Sequence, residues 1–213
     1  MQKVPRFVVL IIAVAVACAG PPPAPADPPA QATVPAAANA PNRDWSTPPD
    51  FAALRREFGE GGDFEQQCDH PVREGSKLFE RKAWAELLAF TAPWAARCPV
   101  DMDAHILRAL ALERTGRTKE AAAHHVWVRG LFESVLASGD GKTPATAYQV
   151  IAVFEEYSML AIFGYEVQAQ ALVEGGIDAM QVKADGESRT IFFNPAASFA
   201  RLQKRLEGGE RRQ

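Results

Sequence analysis

The pattern of apolar and polar positions divides the chain into four regimes. Phe7 to Ala17 is an unbroken apolar run after the basic residues Lys3 and Arg6. It is too short for a transmembrane helix, which needs roughly 20 apolar residues, and Gly20-Pro21-Pro22-Pro23 stops any helix immediately afterwards. From Gly20 to about Asp50 the chain is mainly Pro and Ala with almost no large apolar groups, so it cannot bury enough surface to offset the entropy of ordering. Between Val72 and Gly164 apolar residues recur at helical spacing. Past Gly164 the period drops to two, with Met180, Val182 and Ala184 alternating with polar residues.

The helical regime resolves into segments. Trp84, Leu87, Leu88 and Thr91 predict a helix from about Val72 to Ala92, ended by Pro93 and then Cys98-Pro99. Asp101 caps a second helix carrying Ile106, Ala109 and Leu110, and Gly116 breaks it. A third carries Ala121, Val128, Leu131, Phe132 and Val135. Short links make these neighbours antiparallel. His105 to Val128 resembles one tetratricopeptide hairpin, with Ala109 and Ala121 at close-packing positions and Gly116 in the turn, but the small residues do not recur at a period of about 34, so an isolated hairpin is expected and not a solenoid. Thr143 then caps and Pro144 opens a fourth helix running to Gly164, with Val150, Ile151, Phe154 and Leu160 facing the core and Glu155-Glu156 toward solvent.

In the alternating regime, Asp185-Gly186 signals a hairpin, Thr190 to Phe193 is β-prone and Tyr165 to Val173 offers a further strand. Pro195 begins a last helix with Phe199 and Leu202, before a frayed, charged tail from Glu207 to Gln213. The expected fold class is α+β, mainly α: antiparallel helical hairpins, then a small antiparallel β-hairpin or three-stranded sheet and a C-terminal helix. The expected organisation is a signal over residues 1–17, a tether over 18–49 and one globular domain over 50–206.

The basic start, apolar run and small residues before Cys18 are the three parts of an export signal. Ala15-Val16-Ala17-Cys18 resembles the lipobox of bacterial lipoproteins, whose cysteine is acylated and becomes the mature N-terminus. The address implied is the outer membrane, facing the periplasm. Ala15-x-Ala17 also suits an ordinary signal peptidase, and a soluble periplasmic protein is the alternative. The tether could hold the domain up to roughly 90 Å from the lipid surface in polyproline conformation.

Removing Lys3 and Arg6 from 23 basic residues leaves 21 against 26 acidic ones, a formal charge of −5 that argues against a nucleic-acid partner. With Cys18 lipidated, Cys68 and Cys98 remain as a pair in an oxidising compartment, where they are expected to form a disulfide. The alternative makes Cys68, with His70 nearby, a nucleophile.

Catalytic and cofactor motifs are sparse. Gly141-Lys142-Thr143 lacks the earlier glycine of a phosphate loop and follows a helix, so no nucleotide is expected. Ser138 is not in a nucleophile elbow. His124 and His125 point about 100° apart on a helix and cannot clasp one metal, while Asp101 and His105 share a face but make only two ligands. No EF-hand loop is present, and no cofactor or metal is assigned. Asp140, Glu155, Glu156 and Tyr157 are the remaining catalytic candidates, because a glycine-rich turn beside a helix could bring Asp140 near Tyr157 or a glutamate.

Gly139-Asp140-Gly141, Glu155-Glu156-Tyr157 and the strand Thr190-Ile191-Phe192-Phe193-Asn194 ahead of a last helix resemble the bacterial domain-of-unknown-function family 4919, over roughly Val72 to Leu206. The resemblance implies an exported helical domain with a C-terminal hairpin, and it transfers no catalytic residue. The functional expectation is a non-catalytic envelope module that binds another envelope protein through its helical hairpin or sheet edge, with a periplasmic hydrolase as the alternative. Mass spectrometry of the mature protein should find diacylglycerol on an N-terminal Cys18; an unmodified Cys18 would reject the anchor.

Overall fold

A computed structural model describes residues 43–61 and 64–210, without the side chains of residues 208–210. The segment expected to be an export signal, Cys18, most of the expected tether and the last three residues lie outside the described residues. The fold is α+β and mainly α. Helices α1 (Phe51–Glu60), α2 (Phe64–Gln67), α3 (Val72–Glu80), α4 (Trp84–Arg97), α5 (Met102–Arg114) and α6 (Thr118–Leu136) lead to a 3₁₀ turn (Pro144–Thr146) and strand β1 (Tyr148–Gln149). Helix α7 (Val153–Ile162), strands β2 (Glu166–Val173), β3 (Ile177–Ala184) and β4 (Glu187–Asn194), and helix α8 (Ala196–Glu210) complete the chain.

The α5–α6 hairpin forms where the sequence predicts it. Asp101 caps α5 by accepting from the Asp103 and Ala104 N–H groups, Ala109 and Ala121 are buried, and Gly116 takes φ 77° in the turn. The Cys68–Cys98 disulfide is present, joining the segment before α3 to the end of α4.

Local differences from the sequence reading have physical causes. The helix expected over Val72–Ala92 is two helices, because Lys82 adopts φ 56° and the Ala83 N–H bonds back to the Leu78 carbonyl, a corner packed by Phe79 against Trp84. No Gly or Pro marks that corner. Helix α4 then continues through Pro93 to Arg97: a Pro inside a helix costs about 3 kcal/mol, but the last turn buries Trp94 and Ala95 completely. Pro144 opens only a 3₁₀ turn, since Tyr148 and Gln149 leave to pair in parallel with Phe193 and Asn194. The sheet is therefore four-stranded and mixed, in the order β1-β4-β3-β2. The end of the expected tether is docked on the domain, where Trp45 packs against Trp127, His105 and His124 and its carbonyl accepts from Trp127 Nε1 at 3.0 Å. Helix α8 runs to Glu210, beyond the point where fraying was expected.

Met180, Val182 and Phe193 are buried, joining Leu87, Trp94, Met102, Leu131, Met159 and Leu160 in one core. Two buried arginines bind the layers together. Arg201 of α8 donates to the Gly59 and Ile151 carbonyls at 2.6 and 2.7 Å and lies over the Phe64 ring. Arg55 of α1 meets Glu155 through two 2.9 Å bonds and donates to the Gln149 carbonyl, while Glu155 accepts from the Ile151 N–H at 2.8 Å. Arg55→Ala should destabilise the domain by about 3–5 kcal/mol in urea unfolding, because it strands a buried carboxylate, whereas the paired Arg55→Met, Glu155→Leu change should lose clearly less.

Candidate functional site

Helix α7 directs successive side chains to different neighbours, since each residue turns by about 100°. Glu155 faces Arg55, Glu156 faces Asp178 of β3, Tyr157 reaches Gln170 of β2, and Phe154 with Ser158 faces His70 and Asp103. Glu155 and Glu156, expected at the solvent side, are both fully buried. The helix is covered on one side by α1 and on another by the sheet, which a helical period cannot reveal.

Neither oxygen of Glu156 meets a nitrogen or hydroxyl donor. Burial, then the charge and hydrogen bond of Asp178, push its carboxyl up to about 9, so at neutral pH it is protonated beside a carboxylate. Asp178 Oδ1 accepts from Gln170 Nε2 at 3.0 Å, and Gln170 Oε1 accepts from the Tyr157 hydroxyl at 2.8 Å. A relay Tyr157–Gln170–Asp178–Glu156 thus runs from the half-exposed tyrosine to the core. Asp178 shares strand parity with Met180 and Val182, so the alternating pattern places it inward. Its pairing with Glu156 is invisible in the sequence because the two are far apart along the chain.

On another side of α7, His70 Nδ1 donates to Asp101 Oδ2 at 2.8 Å and His70 Nε2 lies 3.5 Å from Asp103 Oδ2. Burial pulls the His70 pKa down, but the Asp101 hydrogen bond and the charges of Asp101, Asp103 and Asp69 outweigh it and raise it overall. Burial and the Asp101 charge lift the Asp103 carboxyl to about 6, against the pull of His70 and the Ser158 hydroxyl. Asp101, paired by face with His105 in the sequence reading, in fact meets His70.

His105 instead meets His124. Arg108 Nε donates to His124 Nε2 at 3.1 Å, His124 and His105 share a 2.8 Å bond between their Nδ1 atoms, and His105 Nε2 lies 3.0 Å from the Pro99 carbonyl. One tautomer set satisfies all three contacts: His105 carries its proton on Nε2 and His124 on Nδ1, both neutral. Burial lowers their pKa values to about 4 and about 2; at His105 the Pro99 carbonyl and the Asp101 charge partly oppose it, and the nearby Arg108 adds to it at both. His125 is exposed and pairs with Glu113 at 2.7 Å. The two adjacent histidines are thus divided between packing and surface.

The four catalytic candidates do not converge. Asp140 is exposed in its turn, where Oδ1 accepts from the Thr146 hydroxyl and the Lys142 N–H, bonds that lower its pKa. Glu155 is held by Arg55; Glu156 and Tyr157 are linked through Gln170 and Asp178. Concavities of about 170 Å³ on the sheet and about 220 Å³ between α1, β1 and α8 are smaller than the roughly 300–1,000 Å³ usual for small-molecule sites, and neither is lined by Glu156 or His70.

Residues 67–201 match the domain of unknown function DUF4919. The chain belongs to the DUF4919 family. The match runs from just before the first disulfide cysteine to Arg201, so it covers α3 to α7, the whole sheet and the start of α8. No curated protein and no solved structure matches the chain. Among the described residues, no helix of this DUF4919 protein is long and apolar enough to cross a membrane.

The pKa shifts give opposite pH signatures. Glu156 holds its proton in the folded state up to about 9 but releases it near 4.5 when unfolded, so its contribution to stability falls as pH rises from about 4.5 to 9. His105 and His124 resist protonation in the folded state, so theirs falls as pH drops below 6.5. Glu156→Gln should therefore stabilise the domain, by on the order of 2–3 kcal/mol at pH 7 and little at pH 4, in denaturant unfolding across pH. An unchanged or lowered midpoint at pH 7 would refute a neutral Glu156.

Proposed function

We propose that this DUF4919 protein is a non-catalytic lipoprotein of the bacterial cell envelope, anchored by Cys18 at the outer membrane, that binds an extended segment of another envelope protein along the free edge of β2. The observation that carries this reading is the edge itself. Strand β2 is the outermost of the sheet, and among the described residues no strand pairs with its far side. Its interior, Val167 to Val173, carries no charge and no proline, the usual devices that protect an edge from pairing. A register shift between Val167 and Ala169 interrupts only its start, leaving Ala169 to Val173 in regular register with β3. Leu172 is 62% exposed there, an apolar side chain available to an added strand.

The disulfide supports an oxidising address, since such bonds persist in exported proteins and are rare in the cytosol. The tether before Trp45 supports a module that searches for its partner near a membrane surface. A hydrolytic reading rests on one observation, the proton of Glu156 beside Asp178. Asp140 and Glu155 are committed to a turn and an ion pair, which is why binding is the reading we carry.

Photo-cross-linking in intact cells tests the proposal. A photoreactive residue at Leu172 should trap one discrete protein partner, and the same residue placed at Lys183 on the neighbouring strand should trap it less or not at all. Adding Ala171→Lys should reduce the Leu172 adduct at least tenfold through the charge placed on the edge. Absence of any adduct at Leu172, or an adduct indifferent to Ala171→Lys, would overturn edge binding.

A further inference from the structure

His70, Asp101 and Asp103 each bring one ligand-type atom within 4.8 Å of the others. Asp101 is already saturated: Oδ1 accepts from the Asp103 and Ala104 N–H groups, and Oδ2 from Trp94 Nε1 and His70 Nδ1. A carboxylate in that state orients an imidazole. It fixes the proton on Nδ1 and leaves Nε2 pointing away from it, toward Asp103.

We propose that His70 Nε2 and the Asp103 carboxylate form a two-donor site for a divalent transition-metal ion such as zinc, completed by water and therefore weaker than a three- or four-ligand site, with Asp101 as the positioning group behind the histidine. The carboxylates around His70 favour a proton on Nε2 facing Asp103; a metal ion would take the place of that proton, on the lone pair left when only Nδ1 is protonated. The 3.5 Å between Nε2 and the Asp103 oxygen is long for a nitrogen–oxygen hydrogen bond. Two metal bonds of about 2.05–2.1 Å meeting at roughly 113–117°, near tetrahedral, span that same distance. The mixed nitrogen and oxygen donors favour zinc over magnesium or calcium, which prefer oxygen alone.

The donors are held in place before any ion arrives. His70 adopts φ 45°, two residues after the disulfide, with its ring stacked on Phe154 at 4.5 Å and edge-on to Trp94. Asp103 Oδ2 accepts from the Ser158 hydroxyl at 2.9 Å. Both donor side chains are about 20% exposed, so solvent reaches the pair. The nearby acid Asp69 is paired with Arg97 and does not compete. This site lies on a different flank of α7 from Glu156 and does not depend on the β2 edge.

The test is calorimetric titration of zinc chloride into the full chain carrying Cys18→Ser, so that no free thiol competes. One saturable site is expected. His70→Asn, chosen because Asn tolerates positive φ, and the isosteric Asp103→Asn should each weaken zinc at least tenfold, with His125→Gln unchanged and magnesium not binding. In the unsubstituted His70 protein, zinc should shift the Nε2 ¹⁵N resonance of His70 and leave His105 and His124 in place, a readout that does not depend on how the variants fold. No saturable binding below about 1 mM, affinity unchanged in Asp103→Asn, or a shift confined to His125 would overturn the assignment.

Discussion

The seating of α7 depends on the Arg55–Glu155 pair. Both groups are buried, and the pair is tied further by the Gln149 carbonyl and the Ile151 N–H, so one ionic contact joins α1, β1 and the start of α7. Buried ion pairs seldom add much net stability over apolar packing, but losing one partner is severe, because the survivor keeps its desolvation penalty. The pair therefore acts as a constraint on geometry: α7 must present Glu155 to α1. The positions of Glu156, Tyr157, Phe154 and Ser158 then follow from the helical turn.

Around that helix and between α5 and α6 the molecule keeps several ionisable groups out of water, each resolved by a different device. Glu155 is neutralised by a cation, Glu156 by retaining its proton, and His105 and His124 by staying uncharged within a chain of donors and acceptors. His70 sits between two carboxylates, with the disulfide and two aromatic rings limiting its movement. The first three arrangements are closed, their charges cancelled or never formed. The His70–Asp103 gap and the outer side of β2 differ, since both present groups with remaining capacity toward solvent, and those are the places where chemistry or recognition can be added.

Much of the fold is legible in the chain because it arises from local rules. Asp101 as a cap, Gly116 as a turn, the Asp185-Gly186 hairpin and the strand after Gly164 all follow from preferences set within a few residues. The departures share a cause in packing and pairing that local preferences do not encode. The corner at Lys82 has no breaking residue and is imposed by packing of Phe79 on Trp84; α4 passes Pro93 because its last turn is buried; Pro144 fails to start a long helix because Tyr148 pairs with the distant Phe193. The candidate site is less legible still. Glu156, Tyr157, His70 and Asp101 all stand out in the sequence, but there they suggest the wrong partners or none.

Local sequence thus established the residue types, the caps and turns and the two periodicities, and raised the expectation, conditional on Cys18, that Cys68 pairs with Cys98. Those depend on dihedral preferences, apolar spacing and thiol parity, which act within or along the chain. Tertiary structure decided which charges are buried and what they meet. Glu155 and Glu156 are adjacent and chemically identical, yet one is an ion-pair partner and the other a protonated acid. The difference arises because a turn of about 100° aims one at the Arg55 guanidinium and the other into a buried place beside Asp178, where burial first and the neighbouring acid second keep the proton of Glu156 in place.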